Sequence, residues 1–201
     1  MKLILTRHGE TSANKKNIYE GFGNSELNSN GIDQAKKVGV LLKGYGIVKA
    51  YCSPKTRCIQ TLEAIKNENT SISSVNIEYL DDLRETNFGL WEGKDFETIS
   101  KQFPKEWNDF MDYSNFTFPK GESTKEFYCR CADAINYIVK NSNKEDIILV
   151  VAHGGVIRAI ICYLLDIGQR GFYFVKPKQG AYSSINIYDK SIEIEYINKD
   201  H

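Results

Sequence analysis

The segment DIILVVAHGGVIRAIICYLL, residues 146–165, decides the fold. It begins with an almost unbroken apolar run rich in isoleucine and valine, which is typical of a strand buried on both faces of a parallel sheet. A His-Gly-Gly turn follows, and the next apolar residues recur at helical spacing. The segment KLILTRHGE, residues 2–10, likewise places a His-Gly pair after a short apolar strand. Two strands that each end at a histidine indicate one shared site.

Strands alternate with helices along most of the chain, which predicts an α/β fold: a three-layer sandwich with a mostly parallel mixed sheet flanked by helices. A terminal hairpin around residues 189–191 is expected to add an antiparallel edge strand. The other predicted strands are residues 2–6, 47–52, 75–80 and 146–152, and the main predicted helices are residues 31–44, a helix beginning near 53, residues 123–139 and residues 155–165.

Cap residues mark where two of these helices should begin. Asn28 is a candidate N-cap for the first long helix. Ser53 is expected to cap the next helix, with Pro54 at the first helical position, so that Arg57 lies in the first turn. Residues 9–30 are rich in glycine, asparagine and serine and are predicted to form a long loop. A loop of that length in a compact domain is usually functional.

The chain is expected to form a single domain, residues 1–201, that carries a small helical insertion over the site. The insertion covers about residues 81–125. It begins with an irregular aromatic loop and continues with one or two short helices over residues 94–112, interrupted at Pro104.

Charge and composition argue against several classes of protein. The 26 lysine and arginine residues balance the 26 aspartate and glutamate residues, so the basic footprint of a nucleic-acid-binding protein is absent. Arg158 interrupts the most apolar stretch, so no membrane span is expected. The five cysteines have spacings that fit neither a disulfide framework nor paired zinc knuckles, which indicates free thiols and a cytoplasmic protein.

Polar side chains follow three predicted strands at the point where each strand ends. Arg7 and His8 follow the first strand, Ser53 and Arg57 follow the second, and His153 follows the fourth. In open α/β sheets, ligands bind beyond the carboxyl ends of the strands. Guanidinium groups, imidazoles and the N-terminus of the helix that follows the His-Gly-Gly turn all favour an anion, so this edge of the sheet is predicted to bind a phosphate group.

Two histidines also suggest a zinc site, as an alternative to a phosphate site. Glu10 could serve as a further ligand, but the neighbouring arginines would repel a cation. The sequence contains neither an H-E-x-x-H nor a C-x-x-C motif. We therefore predict that the site holds no metal ion and no cofactor.

Five short motifs are spread over the chain in a characteristic order. They are LTRHGETSAN (5–14), SPKTRCIQT (53–61), LRETNFGLWEG (83–93), GES (121–123) and VVAHGGVIRA (150–159). Each motif alone is weak evidence, but five in this order are specific. Together they resemble the histidine phosphatase superfamily, also called the phosphoglycerate mutase-like proteins, and the resemblance covers nearly the whole chain.

The resemblance implies a metal-independent phosphomonoesterase. His8 would be the nucleophile and would form a phosphohistidine. Arg7, Arg57 and His153 would hold the phosphate and stabilise its charge during transfer. Glu85 would protonate the leaving oxygen and then activate the water that releases phosphate from His8.

The resemblance also implies three substrate-binding residues. The backbone N–H of Gly154 and the side chain of Asn14 would donate hydrogen bonds to the phosphate, and Gly21 belongs to the same set. The choice of Glu85 as the acid rests on the resemblance. The residues alone do not distinguish it from Asp81, Asp82 or Glu92.

Within the family, the sequence is most similar to α-ribazole phosphatases of cobalamin synthesis. NIYEG (17–21), residues 103–130 and KQGAYSSINIYD (178–189) carry this similarity. The aromatic residues between 103 and 128 suit a flat, apolar leaving group, although they would also serve to pack the insertion onto the domain. Ile18 and Glu20 stand where mutases and sugar bisphosphatases commonly carry an arginine and a glutamine, which disfavours a substrate with a second phosphate group.

Several alternatives remain open from the sequence. A generalist phosphatase of small molecules, of the sugar phosphate or phosphoglycerate type, is the main one. A phosphoglycerate mutase and a non-catalytic phosphate-binding regulator are less favoured. The expected partners are a small-molecule phosphomonoester and inorganic phosphate as product, with no nucleic acid and no membrane, and the protein is expected to be a monomer or a homodimer.

Overall fold

The computed structural model describes residues 1–110 and 115–201, and these form a mixed six-stranded sheet in the order β3-β2-β4-β1-β5-β6. The strands are β1 (Lys2–Arg7), β2 (Ile47–Cys52), β3 (Asn76–Tyr79), β4 (Ile147–Ala152), β5 (Tyr182–Ile187) and β6 (Ile192–Lys199). Strands β1 to β4 run parallel, and β5 pairs antiparallel with β1. The terminal hairpin is present, with β6 antiparallel to β5 at the edge of the sheet.

Helices cover both faces of this sheet. Their bounds are α1 (Ser12–Lys15), α2 (Ser29–Leu41), α3 (Thr56–Glu68), α4 (Phe96–Gln102), α5 (Pro104–Asp109), α6 (Thr124–Lys140) and α7 (Gly154–Leu164). Helices α2 and α3 pack on one face, and α6 and α7 pack on the other. The three-layer arrangement with a mostly parallel sheet confirms the predicted fold class.

The central strand β4 is buried on both faces, as its continuous apolar run predicts. Ile148 and Val150 belong to the core beneath α6 and α7, whereas Leu149 and Val151 belong to the core beneath α2 and α3. Successive side chains of a strand point to opposite faces, so a strand with helices on both sides needs apolar residues at every position.

The long helices on either side of the site begin at side-chain caps. The Asn28 side chain accepts a hydrogen bond of 2.8 Å from the backbone N–H of Gly31, so the predicted cap is confirmed and α2 begins at Ser29. Ser123 and Glu126 form a capping box at the start of α6. Such caps satisfy backbone N–H groups that have no partner within the helix.

Two local predictions about the first half of the chain were wrong. The segment 9–30 is not loop throughout, because the short helix α1 forms there with Thr11 as its cap. Helix α3 begins at Thr56 instead of Pro54, and the Ser53 side chain does not cap it. The hydroxyl of Ser53 is instead bonded to the ring of His153, a residue far away in the sequence.

The insertion between β3 and α6 has its own small aromatic core. Two turns of 3-10 helix, residues 81–83 and 89–91, precede α4 and α5, and Pro104 begins α5. The predicted break between two short helices is therefore confirmed. Residues 111 and 112, at the end of that predicted segment, lie outside the described residues. The rings of Trp91, Phe116 and Phe118 are buried against one another.

In the described part of the chain, none of the helices is long and apolar enough to cross a membrane. All five cysteines are free, and four of them are buried.

Candidate active site

Strand pairing brings the two histidines together. In the ladder between β1 and β4, Arg7 lies opposite Ala152, and the backbone N–H of His8 donates to the carbonyl of Ala152 at 2.9 Å. His8 and His153 therefore leave adjacent strands at the same level, and their ring centroids are 5.2 Å apart. Strand β2 ends at the same edge, where the backbone N–H of Ser53 donates to the carbonyl of Val151 at 3.0 Å.

The ring of His8 presents one nitrogen as a nucleophile. Its Nδ1 lies 2.7 Å from the carbonyl oxygen of Gly9. Because a carbonyl only accepts hydrogen bonds, Nδ1 carries the proton and Nε2 keeps its lone pair. Burial, together with the charges of Arg7 and Arg57, holds the pKa of His8 well below its ordinary value. The ring is therefore neutral at neutral pH, as a nucleophile must be.

The ring of His153 is held between a hydroxyl and a guanidinium. Its Nε2 is 2.8 Å from Oγ of Ser53, and its Nδ1 accepts a hydrogen bond of 3.3 Å from Nε of Arg57. Burial and the charge of Arg57 hold the pKa of His153 well below its ordinary value. Because a hydroxyl both donates and accepts, Ser53 stays bonded whichever ring nitrogen carries the proton. Because Nδ1 accepts from Arg57, Nε2 carries the ring proton and donates to Ser53, and the ring itself does not line the cavity.

Arg57 is almost completely buried, and backbone carbonyls hold its guanidinium in place. Its terminal nitrogens donate to the carbonyl oxygens of Gly23 at 2.8 Å and Gly21 at 2.9 Å, with a longer bond to Glu20. Through these hydrogen bonds, Arg57 of α3 holds residues 20–23, in the first long loop, at the edge of the sheet. Nε donates to His153 as well, so four of the five guanidinium N–H groups are already bonded within the protein, and Arg57 contributes mainly positive charge to the site.

Arg7 and the first turn of α7 lie side by side. One terminal nitrogen of Arg7 donates to the carbonyl of Pro177 at 3.2 Å, while its Nε is buried without a hydrogen-bond partner among the described residues. A Cβ added to Gly154 would lie 3.3 Å from that Nε, so the glycine lets the guanidinium approach the helix N-terminus. Burial lowers the pKa of Arg7, and the nearby carboxylate of Glu85 partly offsets this effect. An unpaired donor beside a helix N-terminus favours an anion.

The carboxylate of Glu85 faces the same cavity as His8 and is fixed by backbone donors. Oε2 accepts from the N–H of Gly155 and Oε1 accepts from the N–H of Thr86, each at 3.0 Å. Gly155 is required here, because a Cβ at this position would overlap Oε1 of Glu85. The acid is thereby held against the helix that follows His153.

Arg130 of α6 supports the backbone that carries Glu85. Its guanidinium donates to the carbonyls of Asp82 and Arg84, both at 2.8 Å, and forms an ion pair with Glu122 at 2.8 Å. The sequence pattern around Arg130 does not predict this supporting role. Glu122, in the GES motif, is the sequence feature that could have pointed to Arg130. The ion pair between them, however, depends on how α6 packs.

The two remaining predicted binding residues have different surroundings. Asn14 lines the cavity, and its Oδ1 accepts from Gln179 at 2.8 Å and from the N–H of Thr11 at 3.2 Å, which leaves its NH2 group as the donor for a ligand. Gly21 does not line the cavity. Its N–H donates to the carboxylate of Glu92 at 3.1 Å, so the structure does not place this predicted donor against a substrate.

The cavity above His8 has a volume of about 490 Å³ and two distinct walls. The charged wall is the part of the lining formed by Arg7, Glu85 and Gly154, and the aromatic wall is the part formed by Tyr19, Phe88, Phe96, Phe110 and Phe118. Arg158 also lines the cavity, one turn along α7 from Gly154, and the resemblance implies no role for it. Within residues 1–110 and 115–201, no group of three or more His, Cys, Asp and Glu side chains could hold a metal ion.

Comparison with known proteins agrees with this geometry. Residues 3–200 match the family model of the histidine phosphatase superfamily (branch 1). The chain is 26% identical to an adenosylcobalamin/alpha-ribazole phosphatase of Escherichia coli, over 98% of this chain and 96% of that one. It is 30% identical to a broad-specificity phosphatase of Saccharomyces cerevisiae, over 82% of this chain and 70% of that one. The crystal structure of the alpha-ribazole phosphatase from Shigella flexneri has a TM-score of 0.91 at 25% identity and covers 100% of this chain and 97% of that one.

The fold is that of an α/β protein in which two buried histidines and two arginines meet at the carboxyl edge of the sheet. The chain belongs to the histidine phosphatase superfamily, branch 1, and it is a metal-independent phosphatase, as the five motifs predict.

Replacing Gly155 by alanine should impair catalysis while leaving the fold intact. The added methyl group overlaps Oε1 of Glu85, so the carboxylate must move, and a displacement of about 1 Å is expected to lower kcat/KM about 100-fold. Phosphate release from an alkyl phosphomonoester measures the effect. Gly46→Ala is the matched control, because no atom lies within 4 Å of its added methyl group. Wild-type kcat/KM for Gly155→Ala would contradict the assigned position of Glu85.

The buried histidines should make the protein less stable in mild acid. Their pKa values are lowered in the folded state, so between about pH 7 and pH 5 the unfolded chain takes up protons that the folded chain does not. The free energy of unfolding should therefore fall as the pH falls, by up to about 2 kcal/mol for each histidine.

Urea unfolding in phosphate-free buffer tests this expectation. His8→Gln should show a smaller fall in the free energy of unfolding between about pH 7 and pH 5 than the wild type, because one of the two titrating rings is gone. His201→Gln is the control, since the His201 ring is exposed. An identical fall in wild type and His8→Gln would show that the His8 ring takes up its proton in the folded state.

Proposed function

We propose that the chain hydrolyses phosphomonoesters through a phosphohistidine on His8, and that α-ribazole 5′-phosphate is its physiological substrate. The observation that supports the reaction best is the state of the His8 ring. It is neutral, with Nδ1–H bonded to Gly9 and Nε2 unprotonated, in a cavity that it shares with Arg7 and Glu85. A nucleophile, an anion-binding wall and a proton donor are the components that phosphoryl transfer needs.

In the first step, Arg7 binds the phosphate of the substrate from the cavity wall. The resemblance to the family implies that Arg57 and His153, which are buried and do not line the cavity, hold the phosphate together with Arg7. The N–H of Gly154 and the amide of Asn14 supply further donors. The lone pair of His8 Nε2 forms a bond to phosphorus, and the bond between phosphorus and the leaving oxygen breaks. Glu85, in its protonated form, transfers its proton to that oxygen, so the leaving group departs as a neutral alcohol. The cations stabilise the charge that spreads over the phosphoryl oxygens.

In the second step, water replaces the alcohol and Glu85 acts as a base. The carboxylate takes a proton from the water as its oxygen bonds to phosphorus. The bond between phosphorus and Nε2 of His8 breaks, and inorganic phosphate leaves. The ring returns to its neutral form, with Nδ1–H still bonded to Gly9.

The aromatic wall is evidence for a flat leaving group. Tyr19 and Phe88 make an edge-on contact with centroids 4.9 Å apart, and Phe88 makes another with Phe118 at 5.0 Å. Aromatic faces of this kind suit a benzimidazole ring better than a small polar leaving group. The names of the relatives from Escherichia coli and Shigella flexneri support the same substrate.

The residues of the first long loop are evidence for a substrate with a single phosphate group. Ile18 and Glu20 line the cavity at positions where a second phosphate would favour a cation. The carboxylate of Glu20 accepts hydrogen bonds from Ser25, which keeps a negative charge in this loop. A mutase acting on phosphoglycerates is less compatible with this arrangement.

A broad-specificity phosphatase is the second candidate. The wall of the cavity is partly open to solvent, since Phe96 is 50% exposed and Tyr173 is 57% exposed. An open wall admits leaving groups of different shapes. The name of the relative from Saccharomyces cerevisiae, which is 30% identical, supports this candidate.

A comparison of substrates tests the two candidates. We expect kcat/KM for α-ribazole 5′-phosphate to exceed that for ribose 5-phosphate by about 100-fold, because burial of the benzimidazole ring is worth roughly 2–3 kcal/mol. Phosphate release is measured in EDTA with both substrates and p-nitrophenyl phosphate. Similar kcat/KM values for all of them would favour the broad-specificity phosphatase. No release from any substrate would contradict the proposed reaction.

The role of Glu85 predicts a dependence on the leaving group. Glu85→Gln cannot supply a proton, so kcat/KM for an alkyl phosphate should fall about 100-fold or more. The fall should be much smaller with p-nitrophenyl phosphate, whose leaving oxygen needs no proton. Because kcat/KM reports the steps up to phosphoryl transfer, the second step does not mask this difference. Glu145→Gln, on the surface, is the control. An equal fall with both substrates would contradict the role of Glu85 as an acid.

A further inference from the structure

We propose that Arg158 is a specificity residue that binds hydroxyl oxygens of the leaving group and so selects phosphate esters of sugars and nucleosides over simple aryl phosphates. This inference rests on the proposed phosphatase reaction at His8. Arg158 lies within the motif at residues 150–159, but the resemblance implies no role for it, and the proposed reaction at His8 does not use it.

Arg158 lies at a defined separation from the phosphate site. It follows Gly154 by four residues in α7, so the two share a face of the helix. With a rise of about 1.5 Å per residue, their separation along the helix axis is about 6 Å. Both residues line the same cavity. A group bound by Arg158 is therefore part of the leaving group, about one helical turn away from a phosphate at the N-terminus of α7.

The guanidinium of Arg158 has a donor that is not paired with an acceptor in the described part of the chain. Among residues 1–110 and 115–201, its buried Nε has no hydrogen-bond partner and no carboxylate forms an ion pair with it. Arg57 and Arg130, by contrast, direct their donors to backbone carbonyls and to Glu122. A buried charged donor without a partner is costly, which favours a ligand that supplies oxygen acceptors.

Two aromatic rings hold this guanidinium in the cavity wall. Its central carbon lies 5.4 Å from the ring centroid of Phe172 and 5.3 Å from that of Tyr173. All N–H groups of a guanidinium lie in its plane, so contacts with ring faces leave the N–H edges available for hydrogen bonds. The charge is also close enough to the phosphate site to lower the pKa of Arg7.

The cavity thus has three parts that match a nucleoside monophosphate. The charged wall takes the phosphate, Arg158 takes hydroxyl groups of the sugar, and the rings of Tyr19, Phe88 and Phe118 take the base. An aryl phosphate without hydroxyl groups has nothing for Arg158 to bind.

Ribose 5-phosphate and phenyl phosphate, assayed with wild type and Arg158→Met, test the inference. A hydrogen bond from a charged donor is worth about 1.5–3 kcal/mol, so kcat/KM for ribose 5-phosphate should fall about 10-fold to 100-fold. For phenyl phosphate the fall should stay under about 3-fold, because methionine keeps an unbranched chain of similar length in the wall. Arg158→Lys should recover part of the loss. Arg170→Met, an exposed arginine in the neighbouring turn, is the matched control.

Binding measurements separate this inference from the reaction mechanism. Calorimetric Kd values for both esters are measured in His8→Ala and in His8→Ala combined with Arg158→Met. If Arg158→Met weakens the binding of ribose 5-phosphate but not of phenyl phosphate, the inference is supported even when the wild type releases no phosphate. Equal losses of affinity for both esters would show that Arg158 contacts the phosphate itself. No loss of affinity for either ester would show that Arg158 contacts neither ester. Either result would overturn the inference. Unfolding curves for each variant identify any loss caused by misfolding.

Discussion

The site depends on the register between β1 and β4. A hydrogen bond from the N–H of His8 to the carbonyl of Ala152 continues that ladder one residue beyond the strand end. It places His8 and His153 side by side where both chains turn away from the sheet. A shift by one residue would send each histidine to the opposite face, because side chains alternate along a strand. The apolar layers on both faces prevent such a shift.

The buried cations of the site are supported mainly by neutral groups. Arg57 donates to carbonyls of the first long loop, and Arg7 donates to the carbonyl of Pro177. Carbonyls orient a guanidinium without neutralising it, so the positive charge remains available to a phosphate. Burial is the main cause that keeps His8 neutral, and the charges of Arg7 and Arg57 add to it, because a further cation beside them is disfavoured. The charges that favour binding of the anion therefore also assist activation of the nucleophile.

The insertion between β3 and α6 provides stability and shape together. Phe118 is buried in its aromatic core and also lines the cavity, so the residues that pack the insertion form the wall that faces the leaving group. Arg130 connects this segment to α6 through its bonds to the backbone around Glu85. The position of the acid therefore depends on how the insertion packs on the helical layer.

The sequence by itself determined the α/β fold, the strand ends at His8 and His153 and the cap at Asn28, because hydrophobic periodicity and caps depend on neighbours a few residues away. Only the tertiary structure decided which donors and acceptors meet across the chain. Ser53 has the sequence context of a helix cap but bonds to His153, and the N–H of Gly21 is bonded to Glu92. Arg130 and Arg158 resemble ordinary helix residues until α6 and α7 are packed. Their partners lie on other elements, and no local pattern specifies a contact that arises when layers come together.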